Sequence, residues 1–103
     1  MIIRKWRARA LRSNGAAYER HFRDSVAPLL RQTAGFVGAS LSRRLTDENI
    51  EFLVLTRWES VEAIENFAGK DIGKAVVEPD AVAALIDFDP AVQHFEIIED
   101  VGL

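Results

Sequence analysis

The sequence predicts an α+β fold of order strand, helix, strand, strand, helix pair, strand, with one antiparallel sheet covered by helices on one face. Three observations carry this. Residues 2 to 10, IIRKWRARA, put Ile2, Trp6, Ala8 and Ala10 at even positions and mostly charges at odd ones, the period of two of a half-buried strand. Tyr18, Phe22, Val26 and Leu29 then recur at steps of three to four, the period of an amphipathic helix. Beyond them GFVGASLSRRL and IEFLVLTRW, each of strand length and rich in β-formers, flank TDEN, a loop-forming cluster suited to a hairpin.

Each element has its own punctuation. Ser13 or Asn14 is placed to cap the first helix, Glu19, Arg20, Arg23, Asp24 and Arg31 lie off its apolar stripe, and Gly35 ends its last turn. Pro28 lacks the amide that would bond back to Asp24, which predicts a kink or break there. In the third strand Phe52 and Val54 point one way, Leu53 and Leu55 the other, so both faces require cover. Ser60 caps the next helix, with Glu62 in its first turn, Val61, Ile64, Phe67 and Ala68 as its buried stripe and Gly69 as its stop. A linking piece follows in which Asp71 starts a short turn. Pro79 suits the first position of a further short helix carrying Val82, Leu85 and Ile86 at helical spacing. DFDP breaks it, and AVQHFEII alternates as the last strand. With right-handed crossovers this is the split βαβ, or ferredoxin-like, βαββαβ arrangement. Helices suffice for one sheet face, so the open face predicts a homodimer stacked sheet to sheet.

Length and composition bound the rest. At 103 residues and 49% hydrophobic content, residues 1–103 form one domain with its own core. No apolar run nears the roughly 18–20 residues that span a bilayer, and the N-terminus lacks a signal peptide's apolar centre, so no membrane association and a cytoplasmic location are expected. The absence of cysteine excludes disulfides, thiolate nucleophiles and cysteine-ligated metals. Charge is uneven: residues 1–50 hold 10 Lys/Arg and 4 Asp/Glu, net +6, and residues 51–103 hold 3 and 12, net −9. The expectation is that the halves neutralise each other, with Glu96, Glu99 and Asp100 as cross-strand partners of Arg4, Lys5, Arg7 and Arg9, and that there is no nucleic-acid partner.

No glycine-rich phosphate loop, Gly-x-Ser-x-Gly elbow or paired-histidine zinc spacing is present. Two histidines 73 positions apart do not make a metal site without carboxylates from several elements, so no metal ligands are expected. His94, on the last strand with Val92 and Glu96 on its face, has the imidazole chemistry to take a proton from a phenol or enol at neutral pH; the alternative is a structural histidine bonded to a carbonyl or carboxylate. Tyr18, His21 and Ser25 form a polar seam beside the first helix's stripe, which fits a pocket wall and equally an ordinary amphipathic boundary. Trp6 and Trp58 offer large aromatic surface with an indole donor; Trp58 shares a face with Phe52, Val54 and Thr56, and reads either as core or as pocket wall.

Over residues 2 to about 98 the chain resembles the antibiotic biosynthesis monooxygenase family of dimeric α/β-barrel proteins. IIRKWRA, VAPLLRQTAGFVGASLSRR, FLVLTRWESVEAIENFAG and AVVEPDAVAALIDFDPAVQHFEII carry the likeness. The resemblance implies a homodimer whose sheets pack into a barrel, with a pocket in each subunit between sheet and helices. Some relatives oxidise polycyclic phenols to quinones with molecular oxygen and no flavin, haem or metal. Others degrade haem, using an asparagine on the first strand, a tryptophan at the end of the third and a histidine in the helical region after it. Trp58 fits the tryptophan, but the first strand has no asparagine and residues 60 to 86 have no histidine, so haem is disfavoured. The expected function is cofactor-independent oxidation of a small aromatic or polyketide-like compound, with His94 as base or anchor and Trp6, Tyr18, His21 and Trp58 around the ligand. The alternative is a non-catalytic, small-molecule-binding or stress-associated dimer.

Overall fold

The computed structural model describes residues 1–102. Strand β1 (Ile2–Leu11) leads through a 3₁₀ turn (Arg12–Asn14) into α1 (Gly15–His21), a π-helical turn (Phe22–Val26) and α2 (Ala27–Arg31). Strands β2 (Phe36–Leu45) and β3 (Asn49–Trp58) form the expected hairpin, closed by a bond from the Thr46 amide to the Asn49 carbonyl at 2.9 Å. Helices α3 (Val61–Ala68) and α4 (Pro79–Ala84) precede the short strands β4 (Asp87–Phe88) and β5 (Gln93–Glu96). All pairings are antiparallel, in the order β2-β3-β1, and β4 and β5 share the far edge of β1: β5 pairs with Ile2 to Lys5, β4 with Ala8 and Arg9. This is the ferredoxin-like order.

Several local outcomes depart from the sequence reading. The expected last strand, residues 91–98, is regular only over Gln93–Glu96, and part of DFDP, expected as a breaker, is itself paired as β4. Pro90 has no amide for the ladder, so the edge is split in two at that point. The expected stripe of Val82, Leu85 and Ile86 is also displaced: Leu85 packs against the core, but Val82 and Ile86 are about half exposed, while Ala81 and Ala84 are buried. The helix ends at Ala84 because Leu85 turns extended and the Ile86 amide bonds to the Arg9 carbonyl at 2.7 Å, joining the sheet. Alanines at the contact let α4 approach α1, and Asn14, expected as a cap, instead donates its side-chain amide to the Ala84 carbonyl at 3.2 Å.

Pro28 acts one turn earlier than a simple kink. The Ala27 amide bonds to the Phe22 carbonyl, five residues back, so the helix widens into a π-turn just before the proline. The inserted residue advances the phase of everything after it. The buried stripe therefore runs Tyr18, Phe22, Val26, Leu30, with Leu30 fully buried and Leu29 at the surface. In the turn between α2 and β2 Gly35 takes φ +86°, and a Cβ there would collide with that of Ala63 in α3. Ser60 Oγ caps α3, accepting from the Ala63 amide at 3.1 Å, a contact of about 1 kcal/mol.

The core lies in two clusters on the helix-covered face. One gathers Ala10, Tyr18, Ile50, Phe52, Ala81 and Ala84; the other gathers Leu30, Trp58, Ala63 and Ile64; Phe22, in the π-turn, packs against both. On the opposite face Ile3, Leu53 and Leu55 are half buried and Phe95 is half exposed, with no helix over them. The carboxylates that meet the basic strand are not Glu96, Glu99 and Asp100: Arg7 pairs with Asp89 and Arg9 with Asp87, on and beside β4, while Arg43 pairs with Glu19 and Arg44 with Glu51. No helix among the described residues is long and apolar enough to cross a membrane.

Candidate functional site

A cavity of about 60 Å³ opens at the seam between the two core clusters, between sheet and helices. Its sheet wall is Arg4 and Trp6 from β1 and Val54 and Thr56 from β3. The helix wall is Tyr18, His21, Phe22, Val26 and Leu30, with Phe67 from α3 and Ala81 from α4. Val76, Val77 and Glu78, in the coil before α4, close one side. None of their three amides bonds to a backbone carbonyl among the described residues, although Val77 packs on the core and the Glu78 carbonyl accepts from the Ala81 and Val82 amides.

Three of the residues singled out from sequence line the cavity. Trp6 anchors its indole to the Asp89 carbonyl at 2.8 Å, with its ring 6.1 Å from that of Tyr18. Tyr18 is nearly inaccessible, and burial pushes its phenol above the usual range, so it stays protonated at neutral pH. The His21 side chain is 8% exposed, and its Nε2 is a buried polar atom with no hydrogen-bond partner; the nearest carboxylate oxygen, Glu78 Oε1, lies 4.0 Å away. A buried imidazole nitrogen without a protein partner is costly, and a water, an ion, a ligand or a reacting group is what answers such an atom.

Trp58 and His94 stand one layer back. Trp58 is 0% exposed, in edge contact with Phe36 at 5.4 Å and against Phe67 at 5.6 Å, and its indole donates to Thr56 Oγ1 at 2.8 Å. It supports two lining residues and does not itself face the cavity. His94 pairs in register with Arg4, and Arg4 Nη1 lies 3.1 Å from His94 Nε2. Guanidinium only donates, so that nitrogen is the acceptor and is occupied. Burial first, and the Arg4 charge second, hold the His94 imidazole below its usual pKa.

Arg4 was legible only as a strand charge. It is 5% exposed, and burial lowers its pKa to about 10. The available signal was phase, since Arg4 is a cation at an even position among Ile2, Trp6, Ala8 and Ala10. Thr56 carried the same signal on β3. For Glu78, in a coil, no sequence pattern existed. Among the described residues no group of three or more His, Asp or Glu is arranged to hold a metal ion.

Residues 1–79 match the family described as antibiotic biosynthesis monooxygenase. The whole chain superposes on solved structures. A haem-free haem-degrading protein from Mycobacterium tuberculosis is 28% identical with a TM-score of 0.64, covering 99% of this chain and 97% of that one. A candidate antibiotic biosynthesis monooxygenase from Deinococcus radiodurans is 19% identical with a TM-score of 0.66, covering 100% and 98%. A variant of SnoaB, a cofactor-independent oxygenase from Streptomyces nogalater, is 18% identical with a TM-score of 0.62, covering 97% and 96%. No curated protein sequence matches the chain.

Proposed function

The chain belongs to the antibiotic biosynthesis monooxygenase family, and from that premise we propose that it oxidises a small aromatic or polyketide-like compound with molecular oxygen, using His21 to take the substrate's proton and no cofactor. The observation that carries this is the unpartnered Nε2 of His21, buried in a largely apolar cavity beside Glu78. A neutral imidazole there accepts the proton of a phenol or enol, and Glu78 stabilises the imidazolium that results. The electron-rich anion reduces oxygen, a carbon–oxygen bond forms, and loss of water leaves a carbonyl: one oxygen atom enters the product, the other leaves as water. The reductant is the substrate. Apolar walls keep water from the intermediates. The base assigned from sequence, His94, has its ring nitrogen engaged by Arg4 and acts through that side chain.

At about 60 Å³ the cavity holds about two waters, and one benzene ring takes a cavity of about 150 Å³. Substrate access therefore requires a wall to move outward, and the Val76–Glu78 coil, whose amides make no backbone bond, is the side we assign to that movement. We place a second copy of the chain on the open sheet face, where Ile3, Leu53, Leu55 and Phe95 form the uncovered apolar patch.

Likeness to the haem-degrading protein supports a rival haem reading. Against it, the first strand has no asparagine and residues 60 to 86 have no histidine. Oxygen uptake with a panel of anthrones, quinols and phenols, in chelator and without added flavin, tests the proposal. Uptake that falls about 10²–10⁴-fold in His21→Phe is expected. No uptake with any of them leaves a non-catalytic ligand-binding protein, and a Soret shift on haem titration supports the rival.

A further inference from the structure

We infer that the cavity takes a ligand bearing an acidic oxygen, a hydroxylated aromatic acid, whose anionic group sits between the guanidinium of Arg4 and the hydroxyl of Thr56. The inference deepens the proposed reaction and rests on that reading only for the fate of the ligand's hydroxyl, not for the binding of its acid group.

The site is a row across three strands. Thr56 on β3 pairs in register with Arg4 on β1, which pairs in register with His94 on β5. All three point to the helix side, and the first two line the cavity. Arg4 donates to the Ile72 carbonyl at 2.5 Å, the Lys74 carbonyl at 2.9 Å and His94 Nε2 at 3.1 Å, with the Phe67 ring 5.9 Å away. Those acceptors fix the plane of the fork and use three of its five N–H groups. Every one of them is neutral.

A buried cation needs a counter-charge. The other arginines that form ion pairs, Arg7, Arg9, Arg43 and Arg44, do so with exposed side chains at the surface, whereas Arg4, at 5% exposure, has no carboxylate in ion-pair range among the described residues. Its position is held, and its charge is not answered. Thr56 supplies a second donor: its Oγ1 accepts from the Trp58 indole at 2.8 Å, which leaves its own proton to give. Directly opposite cross-strand side chains stand about 4.5–5.5 Å apart at Cβ, a spacing that one carboxylate bridges. Glu78, the acidic residue on the same cavity, lies 4.0 Å from His21 and makes no ion pair with Arg4. The two walls thus ask for different groups on one ligand, an anion toward the sheet and a hydroxyl toward the helix.

Equilibrium binding of 4-hydroxybenzoate and its neutral isostere 4-hydroxybenzamide to the full chain tests this without any turnover. The acid is expected to bind at least about tenfold more tightly, as for a hydrogen-bonded charge pair. Arg4→Gln should bring the acid to the level of the amide, and Thr56→Val should lose part of the preference while preserving shape. Equal binding of acid and amide, binding of neither, or a preference retained in Arg4→Gln overturns the inference. Should Arg4→Gln fail to fold, the wild-type ratio and Thr56→Val decide it. Acid selectivity without oxygen uptake would sink the proposed reaction alone; uptake with neutral phenols and no acid selectivity would sink this inference alone.

Discussion

Arg4 Nη1 and His94 Nε2 lie 3.1 Å apart in a hydrogen bond that only the arginine can donate. The bond turns the histidine that looks most reactive in sequence into a support for a buried cation. It also fixes the imidazole's state, because a protonated ring could not accept it.

That state predicts a pH dependence. The folded-state pKa of His94 lies below the ordinary 6.5, through burial and then the Arg4 charge, so below about pH 6.5 the unfolded chain binds a proton that the folded chain refuses. Stability from this group is complete above that pH and falls as acid is added toward the lowered pKa. Thermal midpoints between pH 7.5 and 5 should fall more steeply in the wild type than in His94→Gln. Parallel slopes would show that His94 does not titrate differently in the two states.

Trp58 is fully buried among Phe36, Phe67, Leu30 and Ile64. Trp58→Ala should cost about 3–5 kcal/mol in urea unfolding, the range for emptying a large aromatic site. Trp58→Phe should cost less, yet it leaves Thr56 without the indole donor, so acid binding should weaken in it as well.

Gly35→Ala should also destabilise. Its φ of +86° and the neighbouring Ala63 Cβ oppose any side chain, so the loss should exceed about 1 kcal/mol by denaturant midpoint. Gly69→Ala shares the positive φ but meets no atom, and should cost less.

Leu55→Glu, on the open face, should convert the proposed dimer to a monomer in sedimentation equilibrium while leaving the helix-side core unchanged by circular dichroism. A wild-type monomer would overturn the proposed dimer, and a dimer that survives the charge would place the interface elsewhere.

The order of strands and helices was legible because period two and period three to four were clean in IIRKWRARA, IEFLVLTRW and the Tyr18 stripe. What sequence missed was local phase. A period of 3.6 carried past Phe22 selects Leu29, whereas the π-turn before Pro28 selects Leu30. In α4 the eye follows Val82 and Ile86, but close helix approach favours Ala81 and Ala84. The site was half legible for a related reason. Trp6, Tyr18 and His21 showed their chemistry by residue type, while Arg4 and Thr56 showed it only as polar residues on an apolar phase. His94 and Trp58 drew attention for the right chemistry but hold the lining residues from behind.

The central claim is that this cavity ionises a bound phenol through His21. The direct measurement is the absorption spectrum, under nitrogen, of a hydroxylated aromatic acid bound to the protein near pH 6, where the free phenol is neutral. The account predicts a red-shifted phenolate band with the wild type and with His94→Gln, and a neutral phenol band with His21→Phe. A neutral band with the wild type, or an equal red shift in His21→Phe, would contradict it.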